Sequence, residues 1–280
     1  MSKDVSTGGP PKAPPLRVTV MGCGTSTGVP VVGCDCTICT SEEPKNQRMR
    51  SGLTLSWTDP ASESSESTPP KRTLIVDTSQ DLRAQCLRFG VHRVDAVLYT
   101  HTHADHIFGL DDLRTFNFRQ ETNIDCYGSE ATLGTLRRTF PYVFDGLPPE
   151  GGGKPSLNLK TVREPFSILG LPVEPIPVFH GSLEVFGYRF GDFAYVTDTN
   201  LIPEPSMEKL DGVHTLILDA LRYRPHPTHF SVSEALEVIE RLGVERAYLT
   251  HLNHEVDYNA PEVEMPPGVE LAYDGLSFDV

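Results

Sequence analysis

Three histidines and an aspartate crowd into six positions at His101-Thr102-His103-Ala104-Asp105-His106, directly after the apolar run VDAVLYT. Imidazole nitrogens and carboxylate oxygens are ligands for zinc, manganese or iron, and no thiolate in the segment narrows the choice. On extended backbone, residues two apart face the same way, so His101 and His103 can grip one ion together. Asp105 and His106 fall on the next turn and can hold a second ion alongside. The competing reading is a histidine-rich surface loop. Three of the chain's ten histidines in six residues, straight after a buried strand, weigh toward metal.

A second cluster is GCDCTICT (33–40), which places Cys34, Cys36 and Cys39 within six positions. In a cytosolic chain, clustered cysteines favour metal over disulfides. A closed structural zinc needs four ligands, and spacing alone does not choose between His254 and His226 for the fourth. Cys23, Cys86 and Cys126 are scattered and read as small buried hydrophobes.

The elements that must position these groups follow one grammar. VDAVLYT, VEPIPVFHG, FAYVTDT, HTLILDAL and RAYLTHL are short apolar strands, and a His or Asp closes each: His101, His180, Asp198, Asp219 and His251. Strand ends in layered folds are where ligand groups converge, because loops there carry chemistry on a rigid sheet. LRVTVMG (16–22), SGLTLSW (51–57) and RTLIVDT (72–78) are further strands, and DLRAQCLRFG is a helix that ends at Gly90. Ser231-x-x-Glu234 predicts a capping box for a helix with Leu236, Ile239 and Leu242 on its apolar face, stopped by Gly243. The expected domain runs from 16 to 280. Residues 1–15 form a Pro/Gly-rich tail, 58–70 a polar loop insertion, and 144–156 a long loop that is either a lid or a surface excursion.

With 280 residues and a formal net charge of −14, the chain can bury a sizeable core. Its charge works against gripping a long polyanion. No apolar run approaches the roughly 20 residues of a spanning helix, and the N-terminus has no secretory h-region. A cytoplasmic location without membrane contact is the expectation.

His101–His106 resembles the HxHxDH signature of the metallo-β-lactamase superfamily, whose fold is a four-layer αββα sandwich, of α+β class with mixed sheets. The resemblance extends to His180, Asp198 and His251, which occur in the family's order as the later histidine, the bridging aspartate and the last histidine. Asp77 in LIVDT matches an earlier strand-end Asp that orients ligands from behind, although a turn-forming Asp would look the same. Within the superfamily the chain is similar to the PhnP-like cyclic phosphodiesterases, through Cys-x-Cys-x2-Cys, GTSTGVP, HPTHFSVSEAL and the pair His251-x-x-His254. That similarity implies a structural Zn²⁺ on Cys34, Cys36, Cys39 and His254, and two active-site ions (Mn²⁺ or Zn²⁺) on His101, His103, Asp105, His106, His180, Asp198 and His251. Catalytic roles fall to Asp105 and to His229, the latter as general acid. It also implies a small phosphodiester substrate, cyclic ribose or nucleotide phosphate, attacked by a hydroxide between the ions, and a homodimer. His226, His214 and His92 have no match.

Gly24-Thr25-Ser26-Thr27-Gly28 also fits the G-x-S-x-G elbow of serine hydrolases, but that motif needs a helix straight after the serine. Val29-Pro30-Val31-Val32-Gly33 follows instead, so a tight turn beside the metal pocket is expected. Other readings of the ligand pattern are a tRNase Z-like nuclease, a thioester or lactone hydrolase, and a non-catalytic carrier like PqqB. The negative charge weighs against the nuclease, and the Cys3His set against the thioesterase. Intact Asp105 and Asp198 weigh against the carrier.

Overall fold

In RTLIV, Leu74 and Val76 point one way and Ile75 the other, yet all three are fully buried. A strand apolar on both faces needs a packed layer on each side. A computed structural model of the chain, which describes residues 13–59, 70–148 and 152–280, supplies both layers. Strands β1 (Arg17–Gly22), β2 (Gly52–Thr58), β3 (Lys71–Val76), β4 (Ala96–Leu98), β5 (Ile124–Gly128) and β6 (Leu157–Thr161) build the first sheet. Strands β7 (Phe166–Ile168), β8 (Leu171–His180), β9 (Leu183–Phe190), β10 (Phe193–Val196), β11 (Thr215–Asp219), β12 (Arg246–Thr250) and β13 (Val269–Leu271) build the second. The last strand, β14 (Ser277–Asp279), returns to the first sheet beside β1.

Leu53, Leu74, Val76, Tyr188, Phe193 and Ile217 belong to the core between the sheets. Ile75, Val97 and Tyr99 face outward onto helices with Leu82, Leu113 and Leu133. On the other flank Val196, Leu216 and Leu218 pack with Ala235 and Ile239 of the helix Val232–Leu242. The architecture is therefore the four-layer αββα sandwich. The regions expected as a tail (1–15) and a loop (58–70) lie mostly outside the described residues, as do positions 149–151 of the 144–156 loop. Among the described residues, no helix is long and apolar enough to cross a membrane.

The two sheets share one internal logic. Each begins with antiparallel pairs, then turns parallel: from β3 through β6 in the first, and from β10 through β13 in the second. Parallel neighbours end on the same edge. β8 runs antiparallel to β9 and β9 to β10, so β8 and β10 also end together. That edge collects the ends of β3, β4, β8, β10, β11 and β12.

The loops at this edge are fastened individually. Ser231 Oγ accepts from Glu234 N–H while Glu234 accepts from the Ser231 N–H, which completes the expected capping box, and Gly243 closes the helix with φ 63°. Arg48 is 2% exposed, and its backbone pairs with Val29. Its guanidinium donates to Asn253 O (2.9 Å), Val256 O (2.7 Å) and Asn46 Oδ1 (3.0 Å). Three carbonyl-type oxygens thus meet one buried cation, and removing it strands all three. Arg48→Met is expected to lower unfolding stability by about 3 kcal/mol, read from urea denaturation of the protein in chelator. A loss below about 1 kcal/mol would show that the loop does not depend on this side chain.

Candidate metal centre

Seven ligand-type side chains meet at the common strand edge. His101 follows β4, and the short helix Ala104–Ile107 carries Asp105 and His106. His180 is the last residue of β8, Asp198 lies just past β10, and His251 follows β12. Asp77, Asp198 and His251 all take positive φ, at 62°, 53° and 62°. Non-glycine residues pay for that conformation, and here it turns the side chain inward as the strand stops.

Two groups result. His101, His103, His180 and Asp198 bring one ligand atom each to within 4.8 Å of one another, and so do Asp105, His106, Asp198 and His251. Asp198 belongs to both. His103 is exposed while the other members are buried, so the cluster opens on the His103 side. His101 Nε2, His106 Nε2 and Asp105 Oδ2 are buried without a hydrogen-bond partner. Such orphaned atoms are costly unless something else satisfies them. Their convergence on one space, with a nitrogen and oxygen donor set, fits a pair of divalent cations.

A layer behind the cluster sets ring orientations. Asp77 accepts from His106 Nδ1–H at 2.7 Å, from Thr100 N–H at 2.9 Å and from the Thr100 hydroxyl at 2.8 Å. His180 Nδ1–H donates to Thr228 O at 2.6 Å. Both contacts hold Nδ1 and turn the opposite ring nitrogen, Nε2, toward the cluster. His251 lies 3.0 Å from Ser51 Oγ through Nδ1 and 3.2 Å from Thr25 Oγ1 through Nε2. Thr25 is the first threonine of GTSTG, and no helix follows that turn. Gly24 is pressed between neighbours: a Cβ there would stand 2.9 Å from Arg48 Cβ. The serine-hydrolase alternative falls, and the turn beside the pocket stands.

Charge in the cluster is polarised. Burial alone would raise Asp198 and Asp105, yet neighbouring histidines hold both below the ordinary carboxylate range. His106 is raised well above its usual value: burial opposes this, and Asp198, Asp105 and Asp77 overcome it. Burial pushes His101, His103 and His251 down, as neutral ligands require.

Beside the cluster stands His229. Its ring stacks on His251 with centroids 4.8 Å apart and meets His180 edge-on at 4.5 Å. Its Nδ1 lies 3.0 Å from Asp219 Oδ2, which also accepts from the N–H groups of Thr199 and Phe230. Burial raises Asp219 to about 8 and pushes His229 down. Sequence reasoning placed Asp219 at a strand end but gave it no role. Thr25, Ser51 and Thr100 were missed outright, since a hydroxyl behind a ligand leaves no spacing signal.

The cysteines form their own group. His254 Nδ1 lies 3.3 Å from Cys34 Sγ, 3.6 Å from Cys36 and 3.5 Å from Cys39. His254 is thus the fourth member, and His226 lies instead beside His229. The Cys39 N–H donates to Cys36 Sγ and helps bring that thiol down to about 6, whereas burial pushes Cys39 up to about 11. Cys23, Cys86 and Cys126 are buried and free, as expected.

A β-lactamase superfamily domain model matches residues 72–252. A solved structure, a new diphosphatase from the PhnP family, is 36% identical, with coverage of 95% of this chain and 97% of that one and a TM-score of 0.83. An octanoyltransferase from Porphyromonas gingivalis is 36% identical over 265 residues, which are 93% of this chain but 51% of that protein. A ribonuclease Z from Bradyrhizobium diazoefficiens is 26% identical over 127 residues, 42% of this chain and 40% of that protein. The chain thus spans about half or less of the length of these last two relatives. From the spread of these matches, the chain belongs to the metallo-β-lactamase superfamily of metal-binding hydrolases, in its PhnP-like branch.

Proposed function

We propose that the chain hydrolyses small phosphodiesters, with a cyclic ribose phosphate or 2′,3′-cyclic nucleotide as the substrate class. The observation that carries this reading is the Asp219–His229 pair at the rim of the cluster. The alkoxide of a ribose ester is a strong base and leaves readily only as it gains a proton. An anhydride expels a stabilised phosphate and has far less need of one. A buried imidazole held by the Asp219 carboxyl group next to the donor groups matches the ester's requirement.

His101, His103, His180 and Asp198 would hold one ion, and Asp105, His106, Asp198 and His251 the other, with Mn²⁺ and Zn²⁺ both suited to these donors. When bound, the ions supply positive charge toward the phosphoryl oxygens and lower the pKa of water. The chain's own groups account for the rest. Asp77 and Thr228 O fix the His106 and His180 rings. Asp105 can give one carboxylate oxygen to an ion and leave the other to accept a water proton. Asp219, protonated below about 8, would donate its O–H to His229 Nδ1, so the neutral ring carries its hydrogen on Nε2, gives it to the departing oxygen and takes the Asp219 proton at Nδ1. Cys34, Cys36, Cys39 and His254 would hold a closed structural Zn²⁺ away from this chemistry.

The charge of −14 weighs against RNA as substrate. Acyl transfer through a thiol finds no support in the cleft: among the described residues three cysteines converge on His254 and three are buried in the core.

Purified protein with Mn²⁺ is expected to turn over a 2′,3′-cyclic nucleotide, with Asp105→Ala as the blank. No turnover by a metal-loaded sample would overturn the substrate class. His229→Ala should cost about 10²–10⁴-fold on that substrate, yet less than about tenfold on bis(4-nitrophenyl) phosphate, whose leaving group needs no proton. Equal losses on both would remove His229 from the acid role.

Asp77→Asn keeps a residue that tolerates positive φ but gives up the carboxylate behind His106. Affinity for Mn²⁺, read by competition with a chelator, should fall about 10–100-fold, and unchanged affinity would leave Asp77 a turn residue only. Cys36→Ser should remove one zinc per chain by elemental analysis, and retention of the full zinc content would refute the Cys3His site.

A further inference from the structure

Strand β4 ends at Leu98, and the two residues between it and His101 draw hydrogen bonds from both sheets. The Tyr99 N–H donates to Tyr127 O of β5, and the Tyr99 hydroxyl lies 3.1 Å from Thr78 Oγ1. The N–H and hydroxyl of Thr100 both donate to Asp77. These partners belong to β5 and to the segment after β3. The two carbonyls instead cross to the second sheet. Tyr99 O accepts from the Tyr188 hydroxyl at 2.8 Å, and Thr100 O accepts from the Phe186 N–H at 3.1 Å.

The composition of β8 explains how β9 can reach across. Pro175 and Pro177 stand opposite Tyr188 and Phe186 in the β8–β9 register and have no N–H to donate. Both pairs are therefore of the non-hydrogen-bonded kind, in which the backbone N–H points away from the paired strand. On that far side, β10 covers β9 only as far as the Tyr188–Tyr195 pair. Phe186 lies beyond it, so its N–H is open to a carbonyl from the first sheet.

Tyr188 and Tyr195 face each other across β9 and β10, both buried in the core between the sheets. Their hydroxyls differ. That of Tyr188 holds Tyr99 O, whereas that of Tyr195 is buried without a hydrogen-bond partner among the described residues.

We propose that Tyr188 is a positioning residue for the metal ligands. By fixing the carbonyl two residues before His101, it sets where the His101–His103 pair of the first sheet meets His180 and Asp198 of the second. Tyr188 is not one of the donor groups, so its effect passes through the backbone of Tyr99 and Thr100. Without the hydroxyl, Tyr99 O is a stranded buried acceptor, and the strand end moves toward another partner and carries His101 with it. This inference rests on the donor cluster and is independent of the substrate class.

Chelator competition on the full chain measures the Mn²⁺ affinity of wild type, Tyr188→Phe and Tyr195→Phe. Each variant loses one buried phenolic oxygen and keeps its ring. Tyr188→Phe should bind Mn²⁺ about 10–100-fold more weakly, the scale of losing a partner behind a ligand, and Tyr195→Phe should stay within about threefold of wild type. Low-temperature EPR with both donor groups supplied with Mn²⁺ gives a second readout. Wild type should show the broad signal of an exchange-coupled pair, and Tyr188→Phe a larger share of the six-line signal of isolated ions. A loss of stability toward urea in Tyr188→Phe, with affinity and spectrum unchanged, is the result of a purely structural role and overturns the proposal. So do equal losses of affinity in the two variants, because any buried hydroxyl in this core would then matter alike. A wild type without Mn²⁺ affinity would overturn the reading of the cluster itself, and this inference with it. No substrate enters these measurements, so failure to hydrolyse a cyclic nucleotide leaves them standing.

Discussion

Asp198 belongs to both donor groups, so the molecule has to deliver six other side chains to the neighbourhood of one carboxylate. No single helix or loop reaches that far around a point. The sandwich does so by making parallel strands end on one edge in both sheets. β4 brings the histidine-rich segment from one sheet, and β8, β10 and β12 bring His180, Asp198 and His251 from the other. The core between the sheets then sets the spacing of the cluster, because a shift of one sheet against the other would move half of the donors.

Gathering buried carboxylates and imidazoles with unsatisfied atoms opposes folding, and the structure shows where support is applied. Three strand-end residues accept a positive φ to aim their side chains. Behind them, Asp77, Thr100 and Thr228 O take up or approach the outward ring nitrogens of His106, His101 and His180, and Ser51 and Thr25 flank the two nitrogens of His251. Each support comes from a different segment, so orientation of the cluster is a property of the whole edge.

What could be read from sequence divides along the same line. His101–His106 was legible because its donors are contiguous, and extended backbone puts His101 and His103 on one side. His180, Asp198 and His251 were legible only as an ordered set at strand ends, since each alone is an ordinary polar residue. The αββα layering followed from the family likeness alone. Asp219 was visible as a strand end, but its use depends on a turn that brings His229 back ten residues later. Hydroxyls such as Ser51 act across 200 residues of chain, a separation that no local pattern encodes.

The loop after β12 shows why two fasteners serve one ligand. Arg48 holds the carbonyls of Asn253 and Val256, on either side of His254, while the three cysteines converge on the His254 ring. The backbone and the side chain of one short loop are thus gripped from the same N-terminal segment. Either grip alone would leave a rotation about the other. Together they fix the loop in both respects, and His251, three residues earlier and at a positive φ, inherits that rigidity. A group of thiols well away from the proposed chemistry therefore bears on it through geometry, by limiting how far one imidazole can drift from Asp198.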